Sequence, residues 1–309
     1  MGLMMKKMRI GIFYSRQHSG SFSLKRLKKE AILMGLKPEI IEGEKVNVLM
    51  ASPRRFRVYV QNERYELPPV IISRLHATSS ETNLLVQTHI QRTKSSRIIN
   101  RSNAISVARD KFKTMQILAA KGFRIPKTVL VGSSKKIEWA IEAVGGLPVI
   151  LKLSRGLKGV GVVMINNLST ARSVHDLVAK DNMIIIQENI AVEPGVDYRF
   201  YIVGNKVVAA MKRVSKSKEE FRANIARGGL GVAFKPSEKI AKLAVSVAKA
   251  VGLEVCGVDM IKTEKGFVPI EINVNASLKR IEKVTKINIA KKIIKYAKKQ
   301  GEVYLAHNK

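Results

Sequence analysis

Residues 8–14 alternate apolar and polar side chains with the period of a strand, and a polar, glycine-containing stretch follows to Ser23. Leu24, Leu27, Ala31 and Met34 then recur at helical spacing and stop at Gly35, which gives a β-loop-α opening. Val46–Met50, Arg57–Gln61 and Val70–Ser73 carry the pattern of further strands, punctuated by Pro53, Pro68 and Pro69. A helical pattern runs from Asn103 through Lys111, Met115, Ile117 and Leu118 to Gly122. Beyond the Ile125-Pro126 step, strands at Thr128–Val131, Val149–Leu153, Val162–Ile165 and Met183–Gln187 alternate with helices at Ile137–Val144 and Ser169–Val178. Asp197–Val203 and Lys206–Met211 read as a hairpin turning at Gly204-Asn205, followed by a polar loop to Gly231 and a helix over Glu238–Val251. A second hairpin and a basic amphipathic helix, Asn288–Lys299, close the chain. The pattern predicts an α/β (α+β) protein in three units: 8–98, 99–182 and 183–300.

The second hairpin carries the strongest chemical signal. Two alternating segments flank Glu264-Lys265-Gly266, and a turn centred on Lys265 sets Asp259 opposite Glu271, with Asn273 two residues along on the same face. Val258, Met260, Ile270 and Ile272 fall on the other face. Two carboxylates paired across a sheet repel and call for a compensating cation or proton, and oxygen donors of this kind suit magnesium or manganese. An exposed polar face on an ordinary hairpin would show the same pattern.

A second signal is the run Ser154-Arg155-Gly156-Leu157-Lys158-Gly159-Val160-Gly161, which sits between two strands. The dinucleotide and P-loop fingerprints both require a helix next, so neither is met. The glycines fit either a hairpin flap whose amides close over phosphates or a simple glycine-rich turn. Lys152 lies within the strand Val149–Leu153, where a buried ammonium is costly unless an anion offsets it. Lys111 is a second candidate cation, or a solvated helix lysine.

Of the 309 residues, 46% are hydrophobic, enough for two or three packed units, and Cys256 is the sole cysteine, with no partner for a disulfide. No signal peptide and no run of eighteen apolar residues is present, so a cytoplasmic protein without membrane association is expected. The formal charge of +32 favours anionic partners, without saying which. His18, His76, His89, His175 and His307 show no metal-ligand spacing and are expected in structural or surface roles.

In order, Ala108-Arg109-Asp110-Lys111, Leu151-Lys152-Leu153, Gly159-Val160-Gly161-Val162, Gln187-Glu188, Asp197-Tyr198-Arg199, Phe221-Arg222-Ala223-Asn224, Arg227-Gly228-Gly229, Gly257-Val258-Asp259 and Glu271-Ile272-Asn273 resemble the motifs of the RimK-like ATP-grasp ligases. The likeness spans Met8 to about Ala297, and the namesake of that family adds glutamate to the C-terminus of a small-subunit ribosomal protein. The resemblance implies an ATP-grasp fold: an N-terminal pre-ATP-grasp domain and two subdomains that clamp ATP. It implies ATP and two magnesium or manganese ions as cofactors. Lys111, Lys152, Gly159, Gly161, Gln187, Glu188 and Asp197 would hold the nucleotide. Asp259, Glu271 and Asn273 would hold the metals, and Arg199, Arg213, Arg222, Asn224 and Arg227 would contact the substrate and acyl-phosphate. The implied reaction phosphorylates a carboxylate and lets an amine displace the phosphate, forming an amide bond without a covalent enzyme intermediate.

Arg155, Leu157 and Lys158 stand where the family carries acidic, small or neutral polar residues. Asn273-Val274-Asn275-Ala276-Ser277 replaces its Asn-x-Ser-Pro-Gly pattern, and Lys279 and Arg280 occupy positions where an acidic residue and a glycine are common. Arg155, Lys158, Lys279 and Arg280 move the rim toward positive charge. At ~4 Å and an effective dielectric near 20, two charges interact by about 4 kcal/mol. An acidic protein or peptide is therefore expected as acceptor; the resemblance implies glutamate, or a similar amino acid, as the added residue, and a homo-oligomer is expected. Two other readings remain: a ligase for a small-molecule, cofactor or carrier-protein substrate, and a basic, non-catalytic RNA- or ribosome-associated protein. The joint presence of Lys111, Lys152, Asp259, Glu271 and Asn273 favours the enzyme.

Overall fold

The computed structural model describes residues 7–156, 161–178, 183–216 and 229–308. The chain opens with strand β1 (Arg9–Tyr14), helix α1 (Phe22–Leu33), whose N-terminus Ser21 caps by accepting from Leu24 N, and strand β2 (Lys37–Glu42). A small antiparallel sheet follows: β3 (Val46–Met50), β4 (Phe56–Val60) and β5 (Glu63–Arg64). Then come β6 (Val70–Ser73), α2 (Glu81–Arg92) and β7 (Arg97–Ile99). The parallel sheet has the order β2-β1-β6-β7, so β3 and β4 stand apart from it.

The helix expected over residues 103–122 is two helices, α3 (Ser102–Ala108) and α4 (Lys111–Ala120). The break falls at Asp110, which adopts an extended backbone and accepts from Lys113 N at 3.1 Å. A side-chain cap of this kind is worth ~1 kcal/mol and favours a fresh helix start over continuation.

The middle of the chain builds β8 (Thr128–Val131), α5 (Ile137–Val144), β9 (Val149–Leu153), β10 (Val162–Ile165), α6 (Leu168–Val178) and β11 (Ile184–Glu188). These strands form an antiparallel sheet ordered β10-β9-β11-β8. Strand β11, which lies beyond the sequence boundary at 182/183, is thus hydrogen-bonded into the middle sheet. The unit has its own core, in which Val149, Leu151, Ile184 and Ile186 pack on Ile137, Ala140, Ile141 and Val144.

The last unit comprises β12 (Val196–Val203), β13 (Lys206–Val214), β14 (Leu230–Ala233), α7 (Glu238–Val251), β15 (Val255–Thr263), β16 (Gly266–Asn273), α8 (Leu278–Thr285) and α9 (Ile289–His307). Its sheet order is β14-β13-β12-β15-β16. The loop expected up to Gly231 therefore ends in a strand, β14. Helix α7 packs on the face bearing Phe200, Ile202 and Val258, whereas α8 and α9 cover Tyr201, Val203 and Met211. Both cores also contain the first sheet: Phe13 and Ile71 join the former, Ile10, Ile12 and Val70 the latter. The first and last units thus share their apolar interior, while the middle one is self-contained. Among the described residues no helix is long and apolar enough to cross a membrane.

Candidate active site

The β15–β16 hairpin turns on two residues, with Thr263 paired to Gly266, whose φ of 103° suits glycine. Towards the turn the register is one residue tighter than expected, Met260 lying opposite Pro269. A bulge at Ile270 absorbs the difference, so Asp259 lies opposite Glu271, Val258 opposite Ile272 and Gly257 opposite Asn273. The expected carboxylate pairing is present, reached by a different route. Ile270 is displaced from the apolar face where alternation placed it and lines the same cleft as Glu271.

Strand β12 brings Arg199 beside Asp259, and β13 brings Arg213 beside Asp197. Arg199 donates through Nε and Nη2 to the two oxygens of Asp259 at 2.7 and 2.6 Å. Arg213 Nη2 donates to Asp259 Oδ2 at 2.8 Å and to Asp197 Oδ2 at 2.6 Å, and its Nε also donates to Asp197. Asn273 Nδ2 donates to Asp259 Oδ2 at 3.0 Å. Two carboxylates and two guanidinium groups close a neutral network in a nearly dry setting, Asp259 being 1% exposed. Burial alone would raise Asp259, yet Arg199 and Arg213 hold it below its ordinary pKa. Burial raises Asp197, and the neighbouring Asp259 charge adds to that rise against Arg213.

The opposite wall is cationic. Lys152 donates through Nζ to Gln187 Oε1 at 2.6 Å, and Gln187 Nε2 donates to Thr128 Oγ1 at 2.9 Å, so a neutral amide is the hydrogen-bond partner of the ammonium. Burial pushes Lys152 down to about 8, and Lys111 pushes the same way against Glu271. Lys111 opens α4. Its backbone N–H donates to Ser154 O at 2.9 Å, while Ser154 Oγ donates to Asp110 at 2.6 Å, fastening this helix start to the end of β9. Lys111 Nζ consequently reaches Gly156 O at 3.3 Å and stands 3.8 Å from Glu271 Oε1. Gly161, which leads into β10, has φ 71°, and a Cβ there would lie 2.5 Å from the Leu153 side chain, so the position suits glycine. Glu188 Oε2 accepts from Lys127 N at 3.0 Å.

These walls enclose a cleft of about 350 Å3 between the middle and last sheets. Lys111, Lys152, Gln187, Glu188, Asp197, Arg199, Arg213, Asp259, Glu271 and Asn273 all line it. Gly159, Arg222, Asn224 and Arg227 lie outside the described residues. Pattern reading missed the apolar surfaces, Ile150, Val162 and Met164 from the middle sheet facing Ile261 and Ile270, and missed His76. His76 follows β6, and the carboxyl ends of parallel strands are where such folds place ligands, which is the signal that could have found it. A larger groove, about 1060 Å3 along β13 and α7, offers lysines and Glu238 but no converging carboxylates.

Among the described residues no three His, Cys, Asp or Glu side chains cluster as a self-sufficient metal site. Glu271, part-exposed, and the amide oxygen of Asn273 offer hard donors on one hairpin face, a partial set that fits a magnesium ion whose remaining ligands are phosphates and water. Asp259 lies on the same face with both oxygens held by Arg199, Arg213 and Asn273, and would join the set by exchanging one of those hydrogen bonds for the metal.

Residues 108–297 match the family profile described as RimK-like ATP-grasp domain. A probable alpha-L-glutamate ligase of Legionella pneumophila (strain Corby) is 37% identical over 299 residues, covering 96% of this chain and 97% of the relative. One from Picosynechococcus sp. is 38% identical over 285 residues, 91% of this chain and 92% of the relative. Among solved structures, the ATP-grasp ligase PsnB complexed with minimal precursor superposes with a TM-score of 0.72 at 17% identity, over 96% of this chain and 100% of that one. A RimK domain ATP-grasp protein from Sphaerobacter thermophilus gives 0.68 at 15% identity, over 94% and 99%. The fold and the family are thus those of an ATP-dependent ligase that forms carbon–nitrogen bonds. The chain belongs to the RimK-like ATP-grasp family.

Proposed function

We propose that this protein joins glutamate, or a similar amino acid, to the C-terminal carboxylate of a protein or peptide, using ATP with magnesium or manganese. The observation that carries this reading is the cleft itself: Asp259, Glu271 and Asn273 on the last sheet face Lys111 and Lys152 on the other wall. The proposed division is an N-terminal domain over 8–98, a middle nucleotide-clamping unit from residue 99 through β11, and a last unit to about residue 300. In the middle unit β8–β11 with α5 and α6 close around their own core, while α3 and α4 join the core of the other units. The apolar walls, Ile150 and Met164 against Ile261 and Ile270, suit an adenine ring, with Gln187 and Glu188 at its edge. Lys111 and Lys152 take phosphate oxygens. The metal ions, when bound at Asp259, Glu271 and Asn273, supply positive charge that lets one anion approach another.

Arg199 and Arg213 lie next to that point and contact the carboxylate being activated, with Arg222, Asn224 and Arg227 as further contacts. Attack on the γ-phosphate transfers the phosphoryl group to the carboxylate and releases ADP. The amine of the incoming amino acid then displaces phosphate, and the proton it loses leaves with solvent or phosphate. Holding the partners in line is the main contribution of the site. Lys279 and Arg280 at the start of α8 are exposed beside Ser277 on the rim, which favours an acidic acceptor. The probable glutamate ligase relatives support the added residue.

The test is to incubate the protein with ATP, magnesium or manganese, and each amino acid in turn, with and without peptides of acidic or neutral C-terminus, following ADP and product mass. Glutamate addition to acidic peptides, weakening with salt, is expected. Product formed only with a small-molecule acceptor would contradict the reading. Glu271→Gln should lower turnover by at least about a thousandfold while leaving the circular dichroism spectrum unchanged.

A further inference from the structure

Helices α1, α8 and α9 pack on one another, and only the start of α8 reaches the rim of the cleft. Most of the acidic charge they carry is used where they meet. Glu30 and Glu282 both pair with Arg26, at 3.0 and 3.1 Å. Glu30 also accepts from Asn288 Nδ2, and Glu282 from Ala290 N, each at 2.9 Å. Glu302 lies 3.9 Å from Lys298. What faces water is cationic. Lys291, Lys292, Lys295 and Lys299 are exposed along α9, with Lys25 and Lys28 on α1 and Lys283 on α8. Among the described residues none of these lysines has a carboxylate within 4.0 Å.

Lys291, Lys295 and Lys299 recur every four residues, so they form a line of charges ~6 Å apart on one side of the helix. Like charges at this spacing repel and destabilise the helix by a few tenths of a kcal/mol per pair, a strain that an opposing polyanion relieves.

The chemistry of the face narrows the partner. Peptides dock on open sheet edges or in apolar grooves, whereas a helical face has its backbone amides already paired and offers only side-chain charge. Helices that lie in a lipid surface present large apolar residues there. Between Lys291 and Lys299 the apolar residues of α9, Ile293, Ile294 and Ala297, are fully buried in the core, and the exposed large apolar residues of these helices stand at their ends, Phe22, Ile32 and Leu33 on α1 and Val303 and Leu305 on α9. We infer that the outer face of α1, α8 and α9 binds the phosphate backbone of RNA, with α9 supplying the main line of contacts. This inference is independent of the ligase reading.

The test uses the full chain and a fluorescent RNA hairpin of roughly 20 nucleotides, with anisotropy measured between about 50 and 200 mM salt. The quadruple variant Lys291→Glu, Lys292→Glu, Lys295→Glu, Lys299→Glu is compared with Lys135→Glu, Lys136→Glu, Lys239→Glu, Lys265→Glu. The second set is exposed, lies outside the three helices and changes net charge by the same amount. The α9 variant should weaken binding at least about thirtyfold and flatten the slope of log K against log salt by roughly 3, as loss of about four phosphate contacts requires. The control should change affinity less than about threefold. A version with alanine at the four α9 positions, a residue that favours helix, should follow the glutamate variant in direction. Equal losses in the two glutamate variants would show a bulk-charge effect and overturn the proposal. So would α9-dependent binding to oligoglutamate or to anionic lipid vesicles that is tighter than binding to RNA.

Discussion

Asp259 is held by two arginines at once, which makes the arginines as important to the fold as to the chemistry. Removing one partner from a buried, hydrogen-bonded ion pair commonly costs about 3–5 kcal/mol, because the remaining charge is stranded. Arg213 is shared by Asp197 and Asp259 and is 6% exposed. Arg213→Met should therefore lower the unfolding free energy by about that amount in urea titrations, and an unchanged midpoint would show the network to be dispensable. Lys152 gives a pH signature. Its pKa falls to about 8 in the folded protein against ~10.4 for a free lysine, so between these values the unfolded chain holds the proton and the folded one has released it. Stability from this group thus rises with pH across that window, and below about pH 8 the charged ammonium carries its full burial penalty. If phosphates bind there the ammonium is restored. Calorimetry near pH 9 in two buffers of different ionisation enthalpy should then show proton uptake on nucleotide binding, absent in Lys152→Met.

At the scale of elements, α4 exists as a separate helix because Asp110 caps it and Ser154 ties it to β9. Asp110→Ala should lower stability by roughly 1–2 kcal/mol and, by loosening Lys111, raise the KM for ATP; loss of stability with unchanged KM would separate the two roles. Periodicity missed this break because the apolar positions continue in phase through Arg109-Asp110. It read correctly where side chains sort cleanly between core and solvent, as in β9, α5 and α7. It missed α2, which buries Asn83, Gln87 and His89 and so shows little apolar contrast. It also missed β2, an edge strand that can carry Pro38 because its N–H side is free. The Asp259–Glu271 pairing was legible from turn position and alternation alone. The bulge was not read, although Pro269, which cannot donate to the ladder, is the residue that could have signalled an irregularity there. Nor was the Arg199–Asp259–Arg213 network, since it depends on which strands become neighbours across the sheet.

For the whole molecule, the distribution of cores matters most. The first and last units share two apolar cores, whereas the middle unit, with β8 to β11, closes around its own. It can therefore move as a body over the cleft, whose floor belongs to the rigid remainder. Amide exchange should be faster at the edges of the middle unit than in β12 and β15, and magnesium with a nucleotide should slow it there first; slowing confined to the last sheet would argue against a clamp. The most direct test of the account is calorimetric titration with a non-hydrolysable ATP analogue. Wild-type protein should take it up with magnesium and lose at least about tenfold in affinity in EDTA or in Glu271→Gln. Equal binding with and without the metal, and in the variant, would contradict the assignment of the Asp259, Glu271 and Asn273 face.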